Sequence, residues 1–318
     1  MLRAGVTYIV TIYNKAPFIP YMLDALAAQT GSFQRQYVFM NDGSTDDSMD
    51  LVRQRTQDWK NVVYVDQKNQ GPAIATNRAA QYAHYSFLKM LDADDVLAPY
   101  ATKLCLQALE QTQSAAVYSL PTDFEMSIDY SQGIHFPPEP DSLTLTTPHD
   151  ILHHVIRTGM AGSSALMVRT DAFRAVGGCD EDVFVQDFSL PLRLSRLYKI
   201  SMFSEFIVYF AKDAEGRVMG NAAQMLHDLT ATQHNFIRAH PHLPKRYHKL
   251  AAKRCVGRAW KWAQRKQQAH IGSKYFWLYV ANRLKIPLSL RWQLQQAQQV
   301  FYKQHNVRRP TIICNNEV

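Results

Sequence analysis

The sequence predicts an α/β fold in which helices cover both faces of a mostly parallel sheet. Over the first 120 residues, apolar runs rich in β-branched and aromatic residues alternate with segments whose apolar residues have helical spacing. The runs are almost continuously apolar, as expected for strands that are buried on both faces. With 318 residues, the chain is long enough for such a domain and an appended section.

The predicted elements alternate regularly along the chain. Strands are predicted at 6–12, 37–40, 62–65, 87–91, 115–118 and 165–169, and helices at 18–26, 46–55, 72–83, from Pro99 onward and at 187–197. Pro17 suits the first turn of the first helix, and Ser44 or Thr45 is the predicted cap of the second. Residues 121–150 are rich in Pro, Asp and Ser and are predicted to form an irregular loop. The order of elements is Rossmann-like.

Charge divides the chain into two sections. Residues 241–318 contain 16 Lys and Arg and one acidic residue, Glu317, which is about +15, whereas residues 1–240 carry about −7. After the double-proline break at 241–244, the pattern becomes helical and rich in Arg, Lys, Trp and Gln. We therefore predict a main domain at 1–240 and a basic, aromatic helical extension at 241–318.

Cysteine usage and hydropathy favour a cytoplasmic protein. The four cysteines lie far apart and form no Cys-x-x-Cys pair, which favours neither a zinc site nor a disulfide framework; they are Cys105, Cys179, Cys255 and Cys314. The N-terminus runs directly into strand-like sequence, so no signal peptide is expected. No window approaches the roughly 18 apolar residues that span a bilayer.

The extension allows three interpretations. It mixes Arg and Lys with aromatic residues, among them Trp260, Trp262, Tyr275, Phe276, Trp277, Tyr279 and Trp292. Such a helical surface suits an anionic membrane, which would place the protein peripherally on the inner face of the membrane. The aromatic residues could instead pack on the main domain. Aromatic and basic residues together also bind single-stranded nucleic acids, which is the least favoured interpretation.

Polar residues follow four of the predicted strands. These groups are Thr11–Lys15, Asn41–Ser48, Asn69–Asn77 and Asp92–Asp95. Ligands of open α/β sheets bind outside the carboxyl ends of the strands. We therefore expect the four groups to line one site.

The acidic run Asp92-Ala93-Asp94-Asp95 predicts a metal site. Three carboxylates within four residues repel one another unless a cation neutralises them. Oxygen ligands suit Mg²⁺ or Mn²⁺, which share their remaining coordination with water and phosphates. The alternative is that Asp94 or Asp95 caps the helix beginning near Pro99, which accounts for one carboxylate at most.

Asp42-Gly43-Ser44 has two interpretations. It is a typical turn followed by a helix cap. Its position at a strand end also suits ligand contact, because a carboxylate there can accept a hydrogen bond from a nucleobase imide. That contact would favour uracil.

Four motifs in this order resemble glycosyltransferase family 2, whose members are inverting enzymes of the GT-A fold. The motifs are Thr11-Ile12-Tyr13-Asn14-Lys15, Asn41-Asp42-Gly43-Ser44-Thr45-Asp46, Asn69-Gln70-Gly71 with Ala75 and Asn77, and Leu91-Asp92-Ala93-Asp94-Asp95. The similarity continues through Val176–Glu181 to Gln186-Asp187 and so covers about residues 5–200.

The resemblance implies roles for the matching residues. Thr11 and Tyr13 would line the base and ribose of the nucleotide, with Asn14 beside them, and Asp42 would hold the base. Asn77 and its neighbour Arg78 would also bind the nucleotide sugar.

For the reaction itself, the resemblance points to three carboxylates. Asp92 would lie near the ribose and the water shell of the metal, and Asp94 would ligate the Mn²⁺ or Mg²⁺ that bridges the two phosphates. Asp187 would be the general base. From the residues alone, Asp187 could equally be a helix cap.

The sequence departs from the family pattern at three places. Thr76 replaces a common arginine, so Arg78 or Lys68 is expected to supply the positive charge. Gln186 replaces the glutamate before the base, which should leave Asp187 slightly weaker. The basic segment of the family after the last core strand is only loosely matched, by Lys212, Arg217 and His227.

The expected reaction is transfer of a sugar from a nucleotide-diphosphate sugar, with UDP favoured, to a hydroxyl of a saccharide or lipid-linked acceptor. Such a reaction would serve the synthesis of a surface polysaccharide or glycolipid. Residues 1–120 of the GT-A domain would bind the nucleotide and residues 121–240 the acceptor. The small residues Gly162–Ser164 would approach the donor sugar or acceptor, or form only a tight turn.

Two other functions are alternatives to glycosyl transfer. A sugar-nucleotide pyrophosphorylase shares the nucleotide-binding sheet but usually has a Gly-rich, Arg-containing loop after the first strand, where this chain has Tyr13-Asn14-Lys15. A non-catalytic protein that binds nucleotide sugars or nucleic acid would need neither the Asp cluster nor Asp187.

Overall fold

A computed structural model of the chain describes residues 2–120, 127–160, 162–211, 221–266, 270–302 and 307–308. Lys212, Arg217 and Cys314, which were singled out in the sequence, lie outside these ranges.

The first part of the chain alternates strands and helices as predicted. In order they are β1 (Arg3–Ile12), α1 (Ile19–Ala27), β2 (Arg35–Asn41), α2 (Ser48–Arg55), β3 (Val62–Asp66), α3 (Pro72–Gln81), β4 (Tyr85–Asp92), β5 (Asp95–Leu97), α4 (Ala101–Thr112) and β6 (Ala116–Ser119). Of these, only the short β5 was not predicted. The predicted cap of α2 is wrong, because the helix begins at Ser48 and the Ser44 hydroxyl accepts a hydrogen bond from Asn14 instead.

The second part adds short strands and most of the helices. In order they are β7 (Ser127–Ile128), β8 (Leu145–Thr146), α5 (Ile151–Thr158), β9 (Leu166–Arg169), α6 (Thr170–Ala175), α7 (Ser189–Leu197), β10 (Ile200–Phe203), β11 (Val208–Ala211), α8 (Ala222–Ala239), α9 (Lys245–Arg265), α10 (Lys274–Arg283) and α11 (Leu290–Tyr302). The described part of the predicted loop, residues 127–150, holds only the two-residue strands β7 and β8 and a single 3-10 turn.

The main sheet has eight strands in the order β3-β2-β1-β4-β9-β6-β10-β8. Strands β3, β2, β1 and β4 are parallel, and β9 is antiparallel to both β4 and β6. The residues that precede β9 therefore lie at the same edge as the carboxyl ends of β1 to β4. The fold is the mostly parallel, helix-flanked α/β sheet that the sequence predicts.

Burial of both faces of the sheet explains why the sequence of β1 is almost continuously apolar. Val6, Tyr8 and Val10 are fully buried, and so is the polar Thr7 between them, whose hydroxyl donates to Gln36 Oε1 (2.9 Å). Alternate side chains on a strand face opposite sides of the sheet, so burial of consecutive residues means that both faces are covered.

The extension packs on the main domain through its apolar residues. Trp262 of α9 and Phe301 of α11 belong to the same buried cluster as the sheet residues. Arg258 of α9 donates to Gln233 of α8 (2.8 Å). This is the packing proposed as one of the three interpretations of the extension. In the part of the chain that the structure describes, no helix is both long enough and apolar enough to cross a bilayer.

Candidate active site

A cavity of about 230 Å³ opens at the carboxyl edge of the central strands. Six of the predicted site residues line it: Thr11, Tyr13, Asp42, Asp92, Asp94 and Asp187. They come from the ends of β1, β2 and β4 and from the 3-10 turn Gln186–Phe188 that precedes α7. Strand ends that are adjacent in the sheet thus bring together residues that are far apart in sequence.

Asp42 is buried at the β2 end of the cavity and is tied to the loop before α3. Its Oδ1 accepts hydrogen bonds from Gln67 Nε2 (2.7 Å) and Gln70 N (2.8 Å), and its Oδ2 accepts one from Gly71 N (2.9 Å). Burial raises the pKa of Asp42, and these three hydrogen bonds oppose the rise. Since a carboxylate has about four acceptor positions, one is left for a ligand donor.

Asn14 lies beside the cavity but connects two loops. Its backbone has the left-handed φ of 51°. The Asn14 amide oxygen accepts from Thr45 N (2.7 Å), and its backbone N–H donates to Ser44 Oγ (3.1 Å). It is not among the residues that line the cavity, so its predicted nucleotide contact stays a prediction.

Asn77 and Arg78 also lie away from the cavity lining. The Asn77 amide holds the loop after α6, donating to Cys179 O (3.0 Å) and Glu181 Oε1 (2.8 Å) and accepting from Cys179 N (2.8 Å). Gly178 packs so closely that a Cβ there would lie 2.3 Å from Asn77 Oδ1. Arg78 contacts Gln67 Oε1 at 3.4 Å and so lies behind Asp42. Both residues thus contact loops beside the cavity, and their predicted contact with the nucleotide sugar stays a prediction.

Asp92 lies at the centre of a polar network. Its Oδ1 accepts from Thr11 Oγ1 and Gln186 Nε2, both at 3.2 Å, and its Oδ2 accepts from Ser163 Oγ (2.8 Å). Burial raises the pKa of Asp92 to about 7, with a further contribution from the carboxylates of Asp187 and Asp94. A glutamate in place of Gln186 would put another negative charge beside Asp92. The Gln186 amide instead donates a hydrogen bond to Asp92.

The other two carboxylates of the acidic run have partners of their own. Asp94 Oδ2 lies 2.9 Å from Lys15 Nζ, and Asp95 Oδ2 accepts from Ser164 Oγ (2.6 Å). The fully buried Lys89 donates to the Ser164 carbonyl, and burial lowers its pKa. The repulsion that predicted a cation is therefore partly relieved by lysines of the chain itself.

The structure does not support the alternative of helix capping for these residues. Helix α4 begins after Tyr100 without a side-chain cap, and α7 begins after Phe188 without one. Asp187 instead accepts hydrogen bonds from the backbone N–H groups of Gly162 (3.1 Å) and Ser163 (3.0 Å). The Gly162–Ser164 segment is thus a tight turn, with Gly162 at a φ of 91°, and Gly162 itself lines the cavity.

Several cavity residues were not predicted from the sequence. Of the described residues, two cationic side chains line the cavity: Lys15, which belongs to the first predicted polar group, and Arg308, which was not predicted. Arg308 belongs to the extension and lies beyond its last helix, α11, and its guanidinium lies 5.9 Å from the centroid of the Phe184 ring. Its backbone pairs with the Gln224 amide, since Arg308 N donates to Oε1 (2.5 Å) and Arg308 O accepts from Nε2 (2.9 Å). No local pattern marks Arg308, because it lies 121 residues beyond Asp187.

Two of the basic residues noted in the sequence, Lys68 and His227, lie outside the cavity lining. Lys68 is exposed and does not line the cavity. His227 is buried, with its Nδ1 2.7 Å from Asp228 Oδ1, and Asp228 Oδ2 accepts from Val185 N (2.8 Å). His227 therefore supports the segment that carries Asp187.

The donor set of the cavity fits a divalent cation shared with a phosphate ligand. Asp92 and Asp94 both line the cavity, and Mg²⁺ and Mn²⁺ sites commonly use one or two carboxylates with phosphates and water. Within the described ranges, no group of three or more His, Cys, Asp or Glu side chains is arranged around one metal position. A site of this kind would thus be completed by a ligand, and Lys15 would have to leave Asp94.

Comparison with known families identifies the chain. The profile described as Glycosyl transferase family 2 matches residues 7–173, which is more than half of the sequence. The chain belongs to glycosyltransferase family 2. The match contains β1 to β4 with the polar groups that follow them, and it extends through β9.

Relatives within family 2 are similar to part of the chain. A teichoic acid poly(glycerol phosphate) polymerase of Staphylococcus epidermidis is 34% identical over 128 residues, which is 39% of this chain and 18% of that protein. A chondroitin synthase of Escherichia coli is 30% identical over 115 residues, or 36% and 17% respectively. The chain thus spans less than a fifth of the length of these two curated relatives.

Solved glycosyltransferases share the fold over nearly the whole chain. Residues 1–349 of S. aureus TarS in complex with UDP superpose with a TM-score of 0.62 at 16% identity, covering 93% of this chain and 88% of that one. The mannosyltransferase PcManGT of Pyrobaculum calidifontis, in complex with GDP-Man and Mn²⁺, gives 0.59 at 17% identity, with 94% and 85% covered. The family 2 chain therefore has the GT-A fold, including helices that follow the sheet domain.

Proposed function

We propose that this family 2 glycosyltransferase transfers the sugar of a UDP-sugar to a hydroxyl of a saccharide or lipid-linked acceptor, with inversion at the anomeric carbon. Mn²⁺ or Mg²⁺ would assist the reaction, and Asp187 would be the general base. Relatives named as polymerases and synthases of surface polymers support a role in polysaccharide or glycolipid synthesis. Family membership supports transfer over pyrophosphorolysis.

The order of the strands is the observation that carries this proposal. From one side of the sheet to the other, the order β2-β1-β4-β9 places Asp42 first, then Thr11, then Asp92 and Asp94, and last the turn that holds Asp187. A nucleotide sugar that lies along this edge would have its base at Asp42, its diphosphate at Asp94 and its sugar toward Asp187. Structures of TarS with UDP and UDP-GlcNAc support a ligand of this class.

Asp187 is held in a fixed orientation for proton transfer. The N–H groups of Gly162 and Ser163 bind one carboxylate oxygen each, so the carboxylate cannot rotate freely. Asp187 would take the proton of the acceptor hydroxyl as that oxygen attacks the anomeric carbon, a role typically worth about 10²–10⁴-fold in rate. Attack opposite the departing diphosphate inverts the configuration.

The metal would be held by Asp94, with Asp92 close to its water shell. When bound, it supplies positive charge that stabilises the negative charge of the diphosphate leaving group. Lys15, released from Asp94, would lie within the same lining and could contact a phosphate. The Asp92 network of Thr11, Ser163 and Gln186 keeps that carboxylate in place.

Arg308 is our candidate for the positive charge that Thr76 does not supply. Thr76 is buried, whereas Arg308 and Lys15 line the cavity. A guanidinium with its planar donors is well suited to phosphate oxygens. We therefore assign Arg308 to the diphosphate rather than Arg78 or Lys68.

The function is tested by incubating the protein with a panel of UDP- and GDP-sugars, with Mn²⁺ or with a chelator. Metal-dependent release of the nucleoside diphosphate is expected for one UDP-sugar, and NMR of the glycoside formed on added saccharide acceptors should show inversion. Calorimetry gives the binding of UDP separately. Formation of sugar 1-phosphate would indicate a pyrophosphorylase, and absence of nucleoside-diphosphate binding with or without metal would refute the proposal.

A further inference from the structure

The helical hairpin of α10 and α11 has an unusually apolar end. Eleven large apolar side chains are exposed among the described residues, and six of them belong to this hairpin and the turn before it: Ile271, Trp277, Leu284, Ile286, Leu288 and Trp292. Ile271 and Leu284 are 70% exposed, and Trp277 is 57% exposed. Exposed apolar residues scattered singly are ordinary, but a group of this kind marks an interaction surface.

The hairpin geometry brings four of these residues to the end where the two helices are joined. Asn282 donates to Gln293 Oε1 (2.8 Å) and Lys274 donates to Gln299 Oε1 (3.0 Å), so α10 and α11 run antiparallel. Residues 283–289, 291 and 292 are all exposed. We call residues 283–292 the hairpin tip; it contains four of the six apolar side chains.

A different set of hairpin residues packs on the protein. Leu278 and Ala281 of α10 and Leu294 and Ala297 of α11 are buried. Trp277 is seven residues before Leu284, which places both on one face of the helix, extending the apolar surface of the tip. The exposed residues are therefore not the packing face of a poorly docked helix pair.

The charges around the tip indicate the partner. Arg283, Lys285 and Arg291 are exposed between the apolar residues, and residues 270–302 contain no Asp or Glu. A second copy of the chain that docked through the same surface would meet it with the same positive charge, which is unfavourable. An anionic phospholipid surface offers negative charge and an apolar interior together, and basic amphipathic surfaces bind there.

We propose that the hairpin tip, with Trp277, is a membrane-docking surface that inserts its apolar side chains among anionic phospholipids. This inference does not depend on the proposed reaction. It would keep the enzyme at a membrane surface, where lipid-linked acceptors are found.

The test is flotation of the full chain with vesicles of phosphatidylcholine plus phosphatidylglycerol, and with vesicles of phosphatidylcholine alone. Binding is expected with the anionic vesicles and should weaken with added salt. The double variant Trp277→Ser/Leu284→Ser should bind at least about tenfold less, because each removes a large inserted side chain. The matched control is Tyr82→Ser/Leu197→Ser, which removes two exposed apolar residues from the main domain.

A second pair of variants tests the charges. Lys285→Gln/Arg291→Gln should weaken binding by about twenty-five-fold, since each basic residue near an anionic surface contributes roughly a factor of five. Lys60→Gln/Arg157→Gln, exposed cations of the main domain, should leave binding unchanged. Thermal unfolding and UDP calorimetry on every variant verify folding and donor binding. Absence of UDP binding by the unaltered chain would refute the proposed reaction without affecting this inference.

Three results would overturn the proposal. One is absence of binding of the full chain to the anionic vesicles, and another is equal binding by the hairpin variants and their controls. The third is an oligomer of the full chain, measured by light scattering, that the hairpin variants dissociate without any vesicle binding. That result would assign the surface to a second copy.

Discussion

The cavity and the hairpin tip carry opposite charges and hold them in opposite ways. In the cavity, Asp42, Asp92 and Asp187 each accept at least two hydrogen bonds from the chain. At the tip, the cations are exposed and surround apolar side chains. Replacing one atom of a fixed carboxylate should change the activity strongly. The exposed charges of the tip act together, and each contributes little to binding. The contrast distinguishes the proposed active site from the proposed membrane-docking surface.

The largest effect that would test this contrast is expected at Asp187. Asp187→Asn keeps the shape of the side chain but removes the base, so turnover should fall by about 10²–10⁴-fold. Binding of UDP measured by calorimetry should change little. Asp171→Asn is the matched control, because Asp171 is an exposed partner of Arg169. Wild-type turnover by Asp187→Asn would show that another group is the base.

Asp94 should control metal-dependent binding rather than turnover alone. Asp94→Ala removes the proposed ligand, and UDP affinity in the presence of Mn²⁺ should fall by at least about a hundredfold, since even outer-shell partners of a metal contribute 10–100-fold. Affinity with a chelator present should be similar to that of the wild type. Equal loss in both conditions would mean that Asp94 acts on the nucleotide without a metal.

Arg308 tests whether the part of the extension beyond α11 contributes to the cavity. Arg308→Ala should weaken UDP binding by about tenfold, the value of one charge-assisted hydrogen bond, while leaving uridine binding unchanged. Arg78→Ala serves as the control, since Arg78 does not line the cavity. A larger effect of Arg78→Ala than of Arg308→Ala would restore the assignment made from the sequence motif.

The smallest expected effect concerns Lys15, which forms an ion pair with Asp94 in the structure. Lys15→Met should raise the affinity of the nucleotide-free protein for Mn²⁺ by at least about fivefold, because the ion pair that competes with the metal is largely buried and even exposed pairs contribute up to about 1 kcal/mol. Electron paramagnetic resonance of free Mn²⁺ measures this directly. A decrease in Mn²⁺ affinity would indicate that Lys15 organises the site rather than competing for it.

The sequence predicted the first strands and their polar ends because both are local patterns. An apolar run such as 6–12 can be buried on two faces only in a covered sheet, and a parallel sheet brings its carboxyl ends together. The roles of Asn14 and Asn77 were less predictable. Their amides match a motif, but the hydrogen bonds of Asn14 with Ser44 and of Asn77 with Cys179 depend on loops that fold against them.

The sequence alone determined the sheet, the acidic run and the basic extension, because apolar periodicity and composition depend on neighbouring residues. Only the tertiary structure decided that Lys15 pairs with Asp94, that the Gly162–Ser163 turn orients Asp187 and that Arg308 reaches the cavity. These contacts join residues tens to hundreds of positions apart. They arise from the antiparallel insertion of β9 and the return of the chain after α11, neither of which leaves a periodic signal in the sequence.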